Sequence, residues 1–228
     1  MTTNGTRLPQ LASALHAAGL QSLNISLDAL DPARYREITG GDIVQVLAGL
    51  DAALALGFKI KLNTVLIRGR NDSEIPRLVD FAEEKNIPIR FIELMPVSLT
   101  SMLDDSNFLP IAEVRRLLGP MTPVSRSFGA GPARYYALEG RRVLVGFIGA
   151  LTDLHFCEQC NKMRLTCEGQ LRPCLGNHHE TDLTPALRPR IDPELLAHLF
   201  QQTLAIKPEA HLFRENYQPQ RIMTAIGG

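Results

Sequence analysis

Two strictly alternating segments, set among stretches of helical spacing, decide what the N-terminal part of this chain can become. In Leu23-Asn24-Ile25-Ser26-Leu27 every second residue is apolar, so an extended chain puts Leu23, Ile25 and Leu27 on one face and Asn24 and Ser26 on the other. Lys59 to Ile67 repeats the pattern, with Ile60, Leu62 and Leu66 opposite Lys61, Asn63 and Val65. Around these strands the period becomes helical. Leu8, Leu11, Ala12, Leu15 and Ala18 predict a helix from Leu8 to Leu20, with Gly19 where a helix stops. Asp31-Pro32 reads as a cap followed by proline in the first turn, a second start follows at Asp42, and apolar spacing runs to Leu56 before Gly57. Ser73 is expected to cap a helix reaching about Glu84, ahead of a strand from Ile87 to Leu94.

Strand, helix, strand, helix, strand with short joints implies right-handed crossovers and a parallel sheet, so the expected class is α/β. Parallel strands are usually apolar on both faces. Two consecutive half-polar strands leave two readings open: a polar face lining a barrel lumen that holds a ligand, or a face at an edge or in solvent. Beyond Met95-Pro96 the texture changes. Val97 to Pro110 reads as loop, Ile111 to Leu118 as a short helix, and Pro120 to Arg134, rich in Gly, Pro and Ser, as a boundary. Arg142 to Ile148 is a strand, Arg164–Thr166 and Gln170–Arg172 pair around Glu168-Gly169, and a helix opens at Asp192-Pro193 and ends before Lys207-Pro208. The reading divides the chain into an α/β region over 1–96 and a β-rich and helical region over 97–228.

Twenty-four basic residues balance twenty-four acidic ones, so no overall field draws the chain to nucleic acid or a membrane surface, and an anionic ligand must be met by local charge. No apolar run approaches the ~18 residues of a membrane span, and Met1-Thr2-Thr3-Asn4-Gly5 has no signal-peptide pattern, so a cytoplasmic location is expected.

All four cysteines fall between Cys157 and Cys174. Cys157 and Cys160 face each other across a tight turn, and Cys174 follows after thirteen residues that read as a hairpin, so three thiolates can converge while Cys167 sits at the turn. A structural zinc site normally pairs two close dyads, and the second is missing. Three ligands leave an open position, which suits an iron–sulfur cluster with one iron free for a substrate atom; zinc and inert buried thiols stay open as alternatives. Lys162 and Arg164 alternate just beyond Cys160, which puts two cations on one side of an extended chain. They read either as phosphate donors or as a solvated basic pair.

Phe156-Cys157-Glu158-Gln159-Cys160-Asn161-Lys162-Met163-Arg164-Leu165-Thr166, then Glu168-Gly169 and Cys174-Leu175, resembles the second-cluster segment of the GTP 3′,8-cyclase family of molybdenum cofactor biosynthesis. Thr2-Thr3-Asn4-Gly5, Asn24 to Asp28, Lys61-Leu62-Asn63, Arg68-Gly69 with Asn71-Asp72, Arg90 to Pro96 and the terminal Gly227-Gly228 are similar to family segments in the same order.

The resemblance implies a partial parallel (β/α) TIM-like barrel with a C-terminal cluster-binding region. It implies radical S-adenosylmethionine (SAM) chemistry, in which a 5′-deoxyadenosyl radical removes the C3′ hydrogen of GTP and the C3′ radical attacks C8, giving 3′,8-cyclo-7,8-dihydro-GTP. Carried over residue by residue, Thr2, Ser26 and Met95 contact SAM, Lys61 a SAM carboxylate or nearby anion, and Arg90 the GTP region. Cys157, Cys160 and Cys174 ligate a substrate-binding 4Fe-4S cluster, Lys162, Met163 and Arg164 bind GTP, and Gly227 and Gly228 reach the active site with Arg164. Lys162 stands where the family usually has Arg, which keeps the charge and loses the planar fork. The family's CxxxCxxC loop for a second 4Fe-4S cluster lies ahead of the Thr-Thr-Asn-Gly segment, and no cysteine before Cys157 replaces it. These 228 residues are therefore expected to be N-terminally truncated and unable to cleave SAM alone, or to act as a non-catalytic GTP- or metal-binding fragment. A homodimer, and a cyclic pyranopterin monophosphate synthase that takes the product, are the implied partners.

Overall fold

A computed structural model describes residues 1–97, 106–125, 131–158, 160–215 and 217–226. Contacts divide the chain into a first unit, Met1–Leu94 with Asp104–Thr152, and a second, Met95–Leu103 with Asp153–Gly228.

The first unit runs β1 (Thr2–Thr3), α1 (Leu8–Ala17), β2 (Ser22–Ser26), α2 (Pro32–Thr39), α3 (Ile43–Ala55), β3 (Lys59–Leu66), α4 (Ile75–Glu84), β4 (Ile89–Glu93), α5 (Ile111–Leu118), β5 (Met121–Val124), β6 (Arg134–Leu138) and β7 (Leu144–Ile148). Its sheet has seven strands in the order β1-β2-β3-β4-β7-β6-β5. Neighbours from β1 to β7 pair parallel, and β7-β6-β5 pair antiparallel. The fold is mixed α/β with a mainly parallel sheet. One face of β2, β3 and β4 is mainly apolar and buried: Leu23, Ile25, Leu62, Leu66, Ile89 and Phe91 join Leu50, Ala53, Leu78 and Val79 of the helices in one core, with Thr64 and Glu93 toward its carboxyl end. Asp31 accepts from the Arg34 amide and Asp42 from the Val44 amide, so both expected caps start helices.

Several expectations shift. α4 is led in by a 3₁₀ turn over Asp72–Glu74 with no side-chain cap, so Ser73 does not play that part. Glu74, in the turn, instead accepts the Leu30 and Asp31 amides at 2.8 and 2.9 Å. The sheet does not end at residue 96, because β5, β6 and β7 extend it. β5 lies inside the Gly/Pro/Ser-rich stretch read as a boundary, and its Pro123 is tolerated because an edge strand leaves one side of its backbone unpaired.

The second unit carries β8 (Arg164–Leu165), β9 (Gln170–Arg172), β10 (Thr181–Asp182), α6 (Thr184–Leu187) and α7 (Pro193–Ala205). The order β10-β9-β8 is antiparallel throughout. Asp192 caps α7 by accepting the Glu194 and Leu195 amides. No single described helix is long and apolar enough to cross a membrane.

α1 and α3 meet at glycines. A Cβ on Gly49 would stand 2.0 Å from the Gly5 carbonyl oxygen, which accepts the Leu8 amide at 3.0 Å, and Gly5 itself has φ +81°. Gly49→Ala must therefore push α3 off the backbone that starts α1. We expect a loss of about 2 kcal/mol or more in urea denaturation; unchanged stability would mean that this contact does not set the helix spacing.

Candidate functional site

Register gives the sheet's second face its chemistry. Partnered positions of a sheet share a face, and here Ser26, Asn63, Arg90, Gly146 and Tyr135 align across β2, β3, β4, β7 and β6. One step toward the strand starts, Thr2, Asn24 and Lys61 form a parallel row. Asn24 Nδ2 donates to Thr2 Oγ1 at 3.2 Å. Arg90 is only 8% exposed, and its Nε donates to Asn63 Oδ1 at 2.7 Å. No described carboxylate forms an ion pair with it. Burial disfavours its charge and the Tyr135 phenol partly offsets this. Burial also pulls the Lys61 ammonium down, and the positive charge of Arg90 adds to the effect. Burial thus disfavours both charges on this face.

At the carboxyl end of β2 the chain is held by the half-buried Asp28 and the buried Asn71. Asp28 Oδ1 accepts the Val65 amide at 2.8 Å. Asn71 Nδ2 donates to the carbonyls of Asp28 and Val65, at 2.9 and 2.7 Å, and its oxygen accepts the Ile67 amide. At the end of β4, the buried Glu93 accepts the Ile111, Leu151 and Thr152 amides and the Thr152 hydroxyl. These contacts fix the strand ends, where parallel sheets carry their ligands.

In the second unit the expected hairpin forms: Thr166 and Gln170 bond across a turn in which Gly169 has φ +86°. Arg164 pairs in register with Arg172, and burial, then the charge of Arg172, disfavours its cation. Lys207 Nζ donates to the carbonyls of Lys162 at 2.8 Å and Pro173 at 2.6 Å, so one ammonium ties together the strand flanks next to Cys160 and Cys174. The Cys160 amide bonds to the Cys157 carbonyl at 3.0 Å. Burial raises the Cys174 thiol, the Gly176 amide and Lys207 oppose this, and Cys157 and Cys160 raise it further. Among the described residues no three His, Cys, Asp or Glu side chains stand at closed metal-ligand geometry. The donor set, three half-buried thiols of unpaired cysteines beside a cation, fits a thiolate-bound metal group in kind. Cys167 is exposed at the turn, with Sγ 3.9 Å from the Ala225 carbonyl. Arg221 bonds Glu180 with two nitrogens, at 3.1 and 3.0 Å, and Glu168 at 3.1 Å, which holds the C-terminal segment on the hairpin.

Residues 1–82 match the radical SAM superfamily and residues 87–213 the family described as Molybdenum Cofactor Synthesis C. The chain is 41% identical over 234 residues to a GTP 3′,8-cyclase of Pelotomaculum thermopropionicum, covering all of this chain and 72% of that protein. It is 44% identical over 237 residues to one of Marinobacter nauticus, covering all of this chain and 71% of the relative. It belongs to the GTP 3′,8-cyclase family. In fold it is like the crystal structure of Streptococcus suis SuiB, at a TM-score of 0.51 and 16% identity over 77% of this chain and 44% of that one.

Of the positions that the cyclase resemblance singles out, Thr2, Ser26, Lys61 and Arg90 share one sheet face, while Met95 belongs to the second unit. Cys157, Cys160, Cys174, Met163 and Arg164 gather around one hairpin, with Lys162 exposed beside them. Gly227 and Gly228 lie outside the described residues. Sequence reasoning gave no role to Asn63, Asp28, Tyr135, Gly146, Glu93 or Lys207. Strand alternation already put Asn63 beside Lys61; the others depend on contacts far apart in the chain.

Asp28 makes the face sensitive to pH. Burial raises its carboxyl from 3.8 to about 6, against the Val65 amide, which lowers it. An acid raised in the folded state stabilises the fold below its unfolded value, and this is lost as pH climbs through the folded value. The loss is up to roughly 3 kcal/mol, developing from about pH 4 to somewhat above pH 6. Asp28→Asn keeps an oxygen for the Val65 amide and cannot ionise. We expect it to match the parent at pH 4 and to exceed it in urea midpoint at pH 8; parallel curves across that range would refute the assignment.

Proposed function

We propose that this chain works in the conversion of GTP to 3′,8-cyclo-7,8-dihydro-GTP, with SAM and an iron–sulfur cluster as its cofactors. The observation that carries the reading is the hairpin of the second unit, whose ends bear Cys157, Cys160 and Cys174 and are tied together by Lys207, with Arg164 between them. Cys157, Cys160 and Cys174 would hold a 4Fe-4S cluster, which when bound offers an open iron to a substrate atom. Arg164, a cation penalised by burial and by Arg172, gains from a phosphate or other anion next to it. Lys162 and Met163 would flank the same ligand, Lys162 as a point charge and Met163 as apolar surface. Gly227 and Gly228 are assigned to the active site by the resemblance alone, as is the contact of Met95 with SAM.

In the first unit the row of Ser26, Asn63 and Arg90, beside Thr2, Asn24 and Lys61, would receive SAM and the anionic end of a ligand. Hydroxyls and amides there orient polar groups, and Lys61 and Arg90 supply the charge. The parallel strands from β1 to β7 would form part of a (β/α) barrel wall with this face inward. We also propose a homodimer, and consumption of the product by a cyclic pyranopterin monophosphate synthase.

Anaerobic reconstitution with iron and sulfide tests the cluster assignment. Cys157→Ala, Cys160→Ala and Cys174→Ala are expected to lose iron and sulfide, and Cys167→Ala to keep both. Arg164→Ala is expected to retain the cluster and bind GTP about tenfold or more weakly, as loss of a charged hydrogen bond requires. Zinc as the sole metal retained, or cluster loss in Cys167→Ala, would overturn the ligand set; unchanged GTP affinity in Arg164→Ala would remove Arg164 from the GTP site.

A further inference from the structure

The Arg90 guanidinium is flanked by Asn63 on β3 and, across β7, by Tyr135 on β6. Arg90 and Tyr135 are not on adjacent strands. They meet because the residue between them is Gly146: a Cβ there would stand 2.9 Å from Arg90 Cγ and 2.9 Å from Tyr135 Cε1. A glycine inside a strand gives up packing and ordering free energy, and such positions mark a close approach. Here two side chains close over it. Tyr135 is 6% exposed, and its hydroxyl and the guanidinium shift each other's ionisation in the directions of an attractive contact. The Gly131 segment also passes nearby, since a Cβ there would stand 3.9 Å from Arg90 Nη1.

An arginine carries five N–H donors on a long, rotatable stem, and a buried one must be aimed to be useful. Asn63 takes Nε from one side. We infer that Tyr135 is a positioning residue, which from the other side fixes the direction of the Arg90 guanidinium toward an anionic ligand, and that Gly146 is the space that lets it do so. This rests on the reading that Arg90 contacts a ligand anion, a SAM carboxylate or a GTP phosphate. Tyr135 touches neither ligand in this assignment and acts only through Arg90. Residues of four strands thus make one unit: Asn63 and Tyr135 as brackets, Arg90 as the donor and Gly146 as the gap beneath.

The test is a double-mutant cycle on the reconstituted protein, with GTP alone and SAM alone titrated into the parent, Tyr135→Phe, Arg90→Lys and the double variant. Tyr135→Phe keeps the ring over Gly146 and removes only the hydroxyl, so folding is expected to survive and thermal denaturation checks this. Arg90→Lys is expected to weaken one of the two ligands by about tenfold or more, Tyr135→Phe to weaken the same ligand by about tenfold, and Tyr135→Phe to add nothing once Arg90 is lysine. Gly146→Ala, which displaces both side chains, should weaken that ligand at least as much as Tyr135→Phe. If Arg90→Lys weakens a ligand and Tyr135→Phe does not, the positioning role is wrong and the reading of Arg90 stands. If Tyr135→Phe weakens binding equally with lysine at 90, it does not act through Arg90, and the inference is again wrong. If Arg90→Lys changes neither affinity, the underlying reading of Arg90 fails.

Discussion

A cation buried in the middle of a parallel sheet, with no described carboxylate paired to it, is the constraint around which the first unit is arranged. Arg90 sits on β4, flanked by β3 and β7, and at 8% exposure its charge is largely out of water. Its described polar neighbours Asn63 and Tyr135 are neutral: the Asn63 oxygen accepts one donor, and the Tyr135 phenol lowers the penalty. Neutral partners orient a guanidinium without neutralising it, so the site keeps its appetite for an anion. Lys61, one row nearer the strand starts, adds charge to the same face. The opposite face holds the apolar core that gives the strands a fixed register, and that register alone lines up Ser26, Asn63, Arg90 and Tyr135.

The second unit meets a different demand with the same device of a cation held by neutral groups. Three thiols repel one another once ionised; burial chiefly raises Cys174, and Cys157 and Cys160 add to it. Lys207 stands close enough to lower it while spending its hydrogen bonds on backbone carbonyls on both flanks of the hairpin. Arg172, 4% exposed, donates to the Asn177 carbonyl and the Tyr217 hydroxyl and lies 3.4 Å from Glu180. Glu180 is in turn shared with Arg221. The hairpin that carries Arg164 is therefore braced from behind by ion pairs.

How much of this is legible from the residues alone depends on the range of the interaction. Alternation over Leu23–Leu27 and Lys59–Ile67 reports local geometry, so strand faces, helix caps at Asp31, Asp42 and Asp192, and the Glu168-Gly169 turn can all be read in sequence. Motif order likewise identifies the family and the cysteine segment. The edge strand β5 is hidden, because Pro123 and the surrounding Gly and Ser mimic a linker, and only pairing with β6 makes a strand of it. Ser73 has the chemistry of a cap, but Glu74 is drawn to the Leu30 and Asp31 amides and the chain enters α4 through a tighter turn. Tyr135, Gly146 and Lys207 carry no local signal at all. Their roles arise from neighbours dozens of residues away, which no pattern of spacing reports.

The most direct measurement is a crystal structure of the reconstituted protein grown anaerobically with both SAM and GTP. The account expects an anionic group, carboxylate or phosphate, within hydrogen-bond distance of the Arg90 guanidinium, on the face that carries Ser26 and Asn63. Both ligands bound elsewhere, with Arg90 still held only by Asn63 and Tyr135, would contradict it.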